Sequence, residues 1–277
     1  MVECNHQCNS CAKTCTDRTE KNLLVMPHPE SSIKKIIGVI SGKGGVGKSL
    51  VTSMMAVELN RRGYRTGILD ADITGPSIGK MFGVKTKASG SETTIYPHKT
   101  VSGIQLISVN MLLENDEEPV LWRGPIIAGM VKQFYSDVLW EDIDYLVVDM
   151  PPGTGDVPLT VFQSLPIDGC IMVTSPQELV KMVVGKAVSM AKMMNVPIIG
   201  MIENMSYIQC DECSKILYPF GEGKTEAAAK EYGVDFLGKL PLNPMFSILS
   251  DQGNFEQVET KEIKEVVDKI SGKISSD

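Results

Sequence analysis

The sequence contains no apolar run of the length that a transmembrane helix needs. Its first residues lack the apolar core of a signal peptide, so we expect a cytoplasmic protein. Basic residues are not in excess, since the formal net charge is -7, and this argues against a general nucleic-acid-binding surface. The stretch 261–274 has apolar residues at helical spacing but lacks the aromatic residues and basic excess of a membrane-surface helix. We therefore predict neither a nucleic-acid partner nor a membrane partner.

Cysteine, by contrast, is not scarce. In a chain expected to be cytoplasmic, clustered cysteines indicate metal or redox chemistry rather than structural disulfides. Four crowd the first residues, two form a C-x-x-C, and one lies in an apolar run: Cys4, Cys8, Cys11 and Cys15, then Cys210 and Cys213, then Cys170. We predict that Cys170 is a buried core residue.

The chain of 277 residues, 43% of them hydrophobic, suits one large α/β domain. Residues 1–32 are polar, lack apolar periodicity and end near two prolines, so we predict a flexible, cysteine-containing tail. Residues 33–277 are predicted to form the domain, with the C-x-x-C as an insertion. The predicted fold class is α/β, a mainly parallel twisted sheet with helices on both faces.

The stretch from Ile36 to Ser49 reads IIGVISGKGGVGKS. A buried strand, a glycine-rich turn and a helical segment follow one another, which is the expected context of the P-loop pattern G-x-x-x-x-G-K-[ST]. Backbone N–H groups of such a loop hold phosphate oxygens; Lys48 would reach the β- and γ-phosphates, and the Ser49 hydroxyl would bind Mg²⁺. We therefore predict an ATP site formed by Gly42, Lys43, Gly44, Gly45, Val46, Gly47, Lys48 and Ser49.

Acidic residues end two of the predicted strands. Asp70 and Asp72 follow the strand 66–69, and Asp149 ends the strand 144–148. Open parallel sheets bind ligands at the carboxyl ends of their strands. Asp149 is thus predicted to hold Mg²⁺ directly or through water. Asp72 follows the strand 66–69, and the alternative to a contact with the ligand is that it caps the helix that follows it.

The N-terminal cysteines have the spacing C-x₃-C-x₂-C-x₃-C. A flexible chain can wrap four thiolates around one metal centre, and both a [4Fe–4S] cluster and tetrahedral zinc fit such a set. The first three also match the spacing of radical S-adenosylmethionine enzymes. We discount that match because the phosphate loop follows immediately and the chain is short for an added barrel.

Two strings resemble the superfamily of MinD, ParA and the nitrogenase iron protein. The loop carries a second lysine, Lys43, as in the deviant Walker A loop of that group, and residues 73–77, ITGPS, resemble its first switch. The resemblance implies that Lys43 reaches across a homodimer to the partner's nucleotide and that Asp72 orients the attacking water. The alternative is that Lys43 is a solvated cation of the loop without a role across a dimer.

The strings VLWRGP (120–125) and DMPPGTGD (149–156) resemble the Mrp/ApbC family of iron–sulfur carrier ATPases, and the likeness covers residues 33–275. It implies that Asn204 of the ENMS string contacts adenine. It also implies that Cys210 and Cys213 of two chains bridge one [4Fe–4S] cluster, which is passed to apo-proteins. The string LPLNP (240–244) resembles the family's last nucleotide-side loop, but Asn243 stands where Asp is common, so no charge-based role is transferred.

The C-x-x-C by itself supplies half of a tetrahedral site, and a two-fold dimer would double it. A zinc ribbon, a thioredoxin-like redox pair and a cysteine knuckle without metal remain alternatives. For the whole protein the rival functions are a MinD/ParA-like positioning or partition ATPase and an ATP-dependent electron donor.

Overall fold

The computed structural model describes residues 23–73, 75, 77–91, 93–112, 124–176, 180–210 and 212–274. The predictions for the N-terminal cysteines, Cys4, Cys8, Cys11 and Cys15, lie outside these residues, as do Trp122 and Arg123 of the WRGP string.

Strands and helices alternate along most of the chain. The strands are β1 (Ile33–Ser41), β2 (Thr66–Asp70), β3 (Ser89–Gly90), β4 (Ile95–Tyr96), β5 (His98–Lys99), β6 (Gln105–Ile107), β7 (Ile143–Asp149), β8 (Gly169–Thr174), β9 (Ile198–Gln209), β10 (Ile216–Leu217) and β11 (Phe236–Pro241). The helices are α1 (Lys48–Arg61), α2 (Ile78–Met81), α3 (Gly124–Ser136), α4 (Asp156–Ser164), α5 (Val180–Met193), α6 (Thr225–Tyr232), α7 (Pro244–Asp251) and α8 (Lys261–Ile274).

The main sheet is built around β1, which pairs in parallel with β7 on one side and β8 on the other. Beyond β7 lie β2 and β6, and beyond β8 lie β9 and β11, all in parallel register. The short β5 and β10 join this sheet in antiparallel register, while β3 and β4 form a separate antiparallel pair. The predicted mainly parallel α/β fold is confirmed.

Helices cover both faces of this sheet. Residues 36–41 of β1 are all buried although consecutive residues point to opposite faces, so neither face is open to solvent. Helix α1 packs on β1, β2 and β7 and against α8, whereas α5 and α6 pack together on β8 and β9. The predicted core residue Cys170 is buried in β8, as expected.

Three elements differ from the sequence expectations. From its apolar run the sequence predicts a strand over Ile198–Ile202, whereas β9 continues seven residues further, to Gln209, and reaches the C-x-x-C. Helices α4 and α7 were not predicted. The start of α7 carries a recognisable signal, because the Asn243 side chain accepts a hydrogen bond from the N–H of Met245 (2.9 Å) and Pro244 occupies the first turn.

The segment before β1 lies along the domain. The N–H of Val25 donates to the carbonyl of Ser164 at the end of α4 (2.8 Å), and the N–H of Trp140 donates to the Ser31 hydroxyl (2.8 Å). The residues just before β1 are therefore hydrogen-bonded to the end of α4 and to the segment that precedes β7. The division into a tail of 1–32 and a domain of 33–277 stays a prediction.

A substitution at Gly200 tests how closely β9 packs against β11. A Cβ at this position would lie 2.4 Å from Cγ of Leu237 and 2.8 Å from the Asp235 carbonyl oxygen. We expect Gly200→Ala to lower the free energy of unfolding by about 1–3 kcal/mol through overpacking, measured by urea denaturation.

Gly129 provides the matched control, because a Cβ there, on α3, would meet nothing within 4 Å. Gly129→Ala should keep or raise the unfolding free energy, by up to about 1 kcal/mol. Wild-type stability of Gly200→Ala would contradict the close β9–β11 packing.

Candidate functional site

The predicted phosphate loop joins β1 to α1 at the carboxyl edge of the sheet. Gly45 and Gly47 have φ of 78° and 80°, in the left-handed region that favours glycine, and Gly47 is the residue that precedes α1. The Ser41 hydroxyl donates to the carbonyl of Lys43 (2.9 Å), which fixes the start of the loop. The loop therefore curls directly above a helix N-terminus, an arrangement suited to anions.

Beneath the loop, Lys48 lies among carboxylates. Its Nζ is 2.8 Å from Oδ1 of Asp149 and 3.2 Å from Oδ2 of Asp72, and its side chain is only 5% exposed. The hydroxyl of Ser49 donates to Oδ2 of Asp149 (2.5 Å) and that of Thr52 donates to Oδ1 (2.9 Å). Asp149, at the end of β7, thus organises the first turn of α1.

Burial and neighbouring charged groups together set the pKa values of Lys48 and Asp149. Burial alone would lower the pKa of Lys48, but the Asp149 and Asp72 carboxylates outweigh it and raise the pKa above its ordinary value. Burial raises the pKa of Asp149, an effect that Lys48, Ser49 and Thr52 counteract. Lys48 is therefore held as an ammonium ion.

Asp70 is a buried acid for which the sequence pattern predicts no role. It is fully buried and accepts hydrogen bonds from the Ser108 hydroxyl (2.9 Å) and the N–H of Asp72 (3.2 Å). Burial, followed by the nearby Asp149 charge, raises the pKa of Asp70 to about 8. The sequence signal that could have indicated this acid is the string DAD, in which Asp70 and Asp72 both follow the apolar part of β2.

A cavity of about 470 Å³ opens in front of the loop. Its lining comes from the phosphate loop, from the segment after β2, and from the β9 and β11 ends. Among the predicted site residues, the lining includes Gly44, Gly45, Gly47, Lys48, Ser49, Asp72 and Asn204. The LPLNP string also lines it, through Pro241, Leu242 and Asn243. The structure thus brings the predicted nucleotide-side segments to one cavity.

Asn204 has one satisfied and one unsatisfied polar atom. Its Nδ2 donates to the carbonyl of Val46 in the phosphate loop (2.9 Å). Its Oδ1 is buried and has no hydrogen-bond partner among the described residues. A buried acceptor without a donor is costly, and Asn204 lines the cavity, so the site suits a ligand that presents an N–H group.

The C-x-x-C occupies the turn of a hairpin between β9 and β10. The N–H of Cys210 donates to the carbonyl of Lys215 and the N–H of Ser214 donates to the carbonyl of Cys210, both at 2.9 Å. Cys213 is exposed and Cys210 is half-buried. The pair does not open a helix, so the thioredoxin-like alternative lacks its structural context.

The two cysteines of the hairpin supply only two of the four ligands of a tetrahedral metal site. Within the described parts of the chain, no group of three or more His, Cys, Asp or Glu side chains is placed to hold a metal ion. The pair therefore needs ligands from outside those parts to complete a four-coordinate site. Beside it, Ile216, Leu217 and Phe220 are about half exposed, which is typical of a surface that associates with a partner.

Comparison with known proteins gives the chain a family. Residues 32–275 match the family model described as ParA: NUBPL iron-transfer P-loop NTPase. The chain belongs to this family. The resemblance to iron–sulfur carrier P-loop ATPases is thereby confirmed, and the family supports nucleotide hydrolysis as the enzymatic class.

Two relatives carry the name iron-sulfur cluster carrier protein. The one from Methanocaldococcus jannaschii is 45% identical over 288 aligned positions and covers 99% of both chains. The one from Clostridium perfringens is 45% identical over 234 positions and covers 82% of both. This iron-transfer NTPase of the NUBPL type is thus similar to named carriers from both archaea and bacteria.

Solved structures agree with the fold. A nucleotide-binding protein from Archaeoglobus fulgidus, in complex with ADP, is 41% identical with a TM-score of 0.76 and covers 84% of this chain and 91% of its own. The cell division ATPase MinD of Pyrococcus furiosus, 18% identical, has a TM-score of 0.60 over 86% of this chain and 98% of its own, and shows the shared fold alone. No helix in the described ranges is long and apolar enough to cross a bilayer.

The raised pKa of Asp70 predicts a pH dependence of stability. Between the unfolded-chain value and about 8, the folded protein holds one proton more than the unfolded chain at this carboxyl. The free energy of unfolding should therefore fall as the pH rises from about 5 to about 8, by up to about 1 kcal/mol per pH unit. Asp70→Asn removes this linkage, so its urea midpoint should vary less with pH.

The control is Asp251→Asn, a surface change at the end of α7, where the Asp251 side chain is 72% exposed. It should keep the wild-type dependence on pH. An Asp70→Asn slope equal to that of the wild type would show that Asp70 does not hold the extra proton.

Proposed function

We propose that this protein is an ATP-hydrolysing carrier that assembles iron–sulfur clusters on Cys210 and Cys213 and passes them to apo-proteins. The observation that carries the proposal is structural. A single strand, β9, holds Asn204 against the phosphate loop at one point and presents the cysteine pair at its end. The named carriers among its relatives support the same function.

ATP fits the cavity by charge and by shape. The amides of the loop and the Lys48 ammonium provide donors for the β- and γ-phosphates, in place of the carboxylates that Lys48 now contacts. The unsatisfied Oδ1 of Asn204 can accept a hydrogen bond from the exocyclic amine of adenine. Guanine presents a carbonyl at that position, so this amide orientation favours adenine.

The oxygen donors at the loop fit Mg²⁺. The Ser49 hydroxyl and the Asp149 carboxylate converge to 2.5 Å, and hard oxygen ligands are what Mg²⁺ prefers. When bound there, Mg²⁺ would neutralise charge on the phosphate oxygens. Asp72 lines the same cavity, so its carboxylate can accept a hydrogen bond from the attacking water.

A homodimer would complete both sites. Lys43 is half-buried in the phosphate loop, from which a long side chain can reach a nucleotide held by a second copy. A two-fold axis near the cysteine hairpin would gather four thiolates, the ligand set of a [4Fe–4S] cluster. The exposed Ile216, Leu217 and Phe220 supply apolar area for such a contact.

Lys43 tests whether hydrolysis needs the second copy. Because a cation supplied across an interface stabilises charge in the transition state, Lys43→Ala should lower the rate of phosphate release at least about tenfold. The variant should also form less dimer with a non-hydrolysable ATP analogue, measured by light scattering after size-exclusion chromatography.

Lys35→Ala is the control, since Lys35 lies in β1 and pairs with Asp168 at the surface (3.5 Å). It should hydrolyse and dimerise like the wild type. Wild-type hydrolysis by a monomeric Lys43→Ala protein would contradict the shared site.

The cysteine pair tests the carrier function itself. Cys210→Ala and Cys213→Ala should each abolish cluster transfer to an apo-protein, because two thiolates per chain are needed, while nucleotide binding persists. Transfer is followed by recovery of activity in an apo-aconitase-type acceptor, and binding by a fluorescent ATP analogue.

Cys170→Ala serves as the matched cysteine control. Burial raises the pKa of Cys170 to about 12, so its thiol is not available as a ligand. This variant should transfer clusters at the wild-type rate. Unaltered transfer by both hairpin variants would refute the proposed cluster site.

A further inference from the structure

Strand β9 is irregular between the nucleotide cavity and the cysteine hairpin. Its pairing with β8 ends at Glu203, opposite Thr174. On the β11 side, Lys239 lies opposite Glu203 and Pro241 lies opposite Tyr207. Residues 204–206 of β9 therefore face a single residue of β11, which is a bulge in the ladder. We refer to residues 204–206 as the β9 bulge.

Met205, at the centre of the β9 bulge, has φ of 58°. This left-handed conformation costs a non-glycine residue free energy and persists only where neighbouring contacts impose it. The other non-glycine residues with positive φ in the described chain lie outside helices and strands: Asp142, Asn195 and Ser214. Met205 is thus a strained position inside a strand.

Contacts on both sides of Met205 impose this conformation. On one side, Asn204 donates to the Val46 carbonyl of the phosphate loop, so closely that a Cβ on Gly47 would come within 2.1 Å of Nδ2. On the other side, the Ser206 hydroxyl donates to Oε1 of the buried Glu203 (2.7 Å). The bulge is therefore fixed to the phosphate loop and to the sheet at once.

After the cysteine hairpin, the chain returns to the same carboxylate, that of Glu203. The N–H of Thr225, at the start of α6, donates to Oε2 of Glu203 (3.3 Å). Gly223 passes so near that a Cβ would overlap the carboxylate, at 1.9 Å from Oε2. The segment that carries Cys210 and Cys213 thus begins after Glu203 and ends in contact with the Glu203 carboxylate, beside the nucleotide cavity.

We propose that the β9 bulge is a conformational relay. Nucleotide that binds Oδ1 of Asn204 shifts this residue against the phosphate loop, and the strained Met205 backbone converts the shift into a change in the exposure of the cysteine hairpin. The left- and right-handed conformations of Met205 are discrete, so the element has two arrangements rather than a continuous range. The proposal deepens the proposed function and rests on it for the nucleotide that binds the cavity.

Thiol alkylation tests the relay without any cluster. Reduced, metal-free, full-length protein is treated with N-ethylmaleimide, with and without a saturating non-hydrolysable ATP analogue and Mg²⁺. Rates at Cys210 and Cys213 are read from their peptides by mass spectrometry. In the wild type we expect nucleotide to change these rates by about fivefold or more. In Met205→Gly we expect less than a twofold change, because glycine adopts both conformations freely.

The control is Asn195→Gly, which relieves the same left-handed conformation (φ of 54°) in the turn between α5 and β9. It should show the wild-type nucleotide effect. Since Met205 lines the cavity, each variant is measured at a nucleotide concentration that its own titration shows to be saturating. Should Met205→Gly fail to fold by thermal denaturation, Met205→Asn replaces it; asparagine tolerates this conformation, so an intermediate effect is expected.

Two results would overturn the relay. One is a wild-type protein whose alkylation rates ignore the nucleotide. The other is a folded Met205→Gly variant with the full nucleotide effect, which would mean that a partner copy covers the thiols directly. Reconstitution of the wild type with iron and sulfide is a separate measurement. If the alkylation effect is present and no cluster forms, the proposed cluster function fails and the relay stands.

Discussion

The constraint on which the site depends is the compensation of buried negative charge. Asp70 and Asp149 lie opposite each other in the register of β2 and β7, and Asp72 follows two residues later. Three carboxyl groups this close, two of them fully buried, require a cation or a proton. The Lys48 ammonium provides the cation, and Asp70 is the group on which burial favours the proton. The phosphate loop is therefore tied to the sheet through charge as well as through its chain.

Much of this site could be predicted from the sequence because its parts are local. The loop from Gly42 to Ser49 and the acid at the end of β7 each follow an apolar strand, and the carboxyl ends of parallel strands meet at one edge. The mainly parallel sheet followed from the same alternation of strands and helices. These predictions needed only neighbours in the chain.

The remaining features depend on contacts between distant segments. The hydrogen bond from Asn204 to Val46 joins residues 158 positions apart, and no local pattern indicates it. The extension of β9 was missed because the polar Asn204 and Ser206 interrupt the apolar run that predicted the strand. The proton on Asp70 follows from complete burial and from Asp149, both tertiary properties. The N-terminal cysteines, Cys4, Cys8, Cys11 and Cys15, stay predicted ligands of a metal centre whose type the sequence leaves open.

We propose above all that two chains hold one iron–sulfur cluster between their hairpin cysteines. The most direct measurement is iron, sulfide and zinc analysis of anaerobically purified protein in which the four N-terminal cysteines are replaced by serine, combined with its mass in solution. We expect about two iron and two sulfide per chain in an ATP-stabilised dimer. Stoichiometric zinc without sulfide, or a monomer with nucleotide bound, would contradict it.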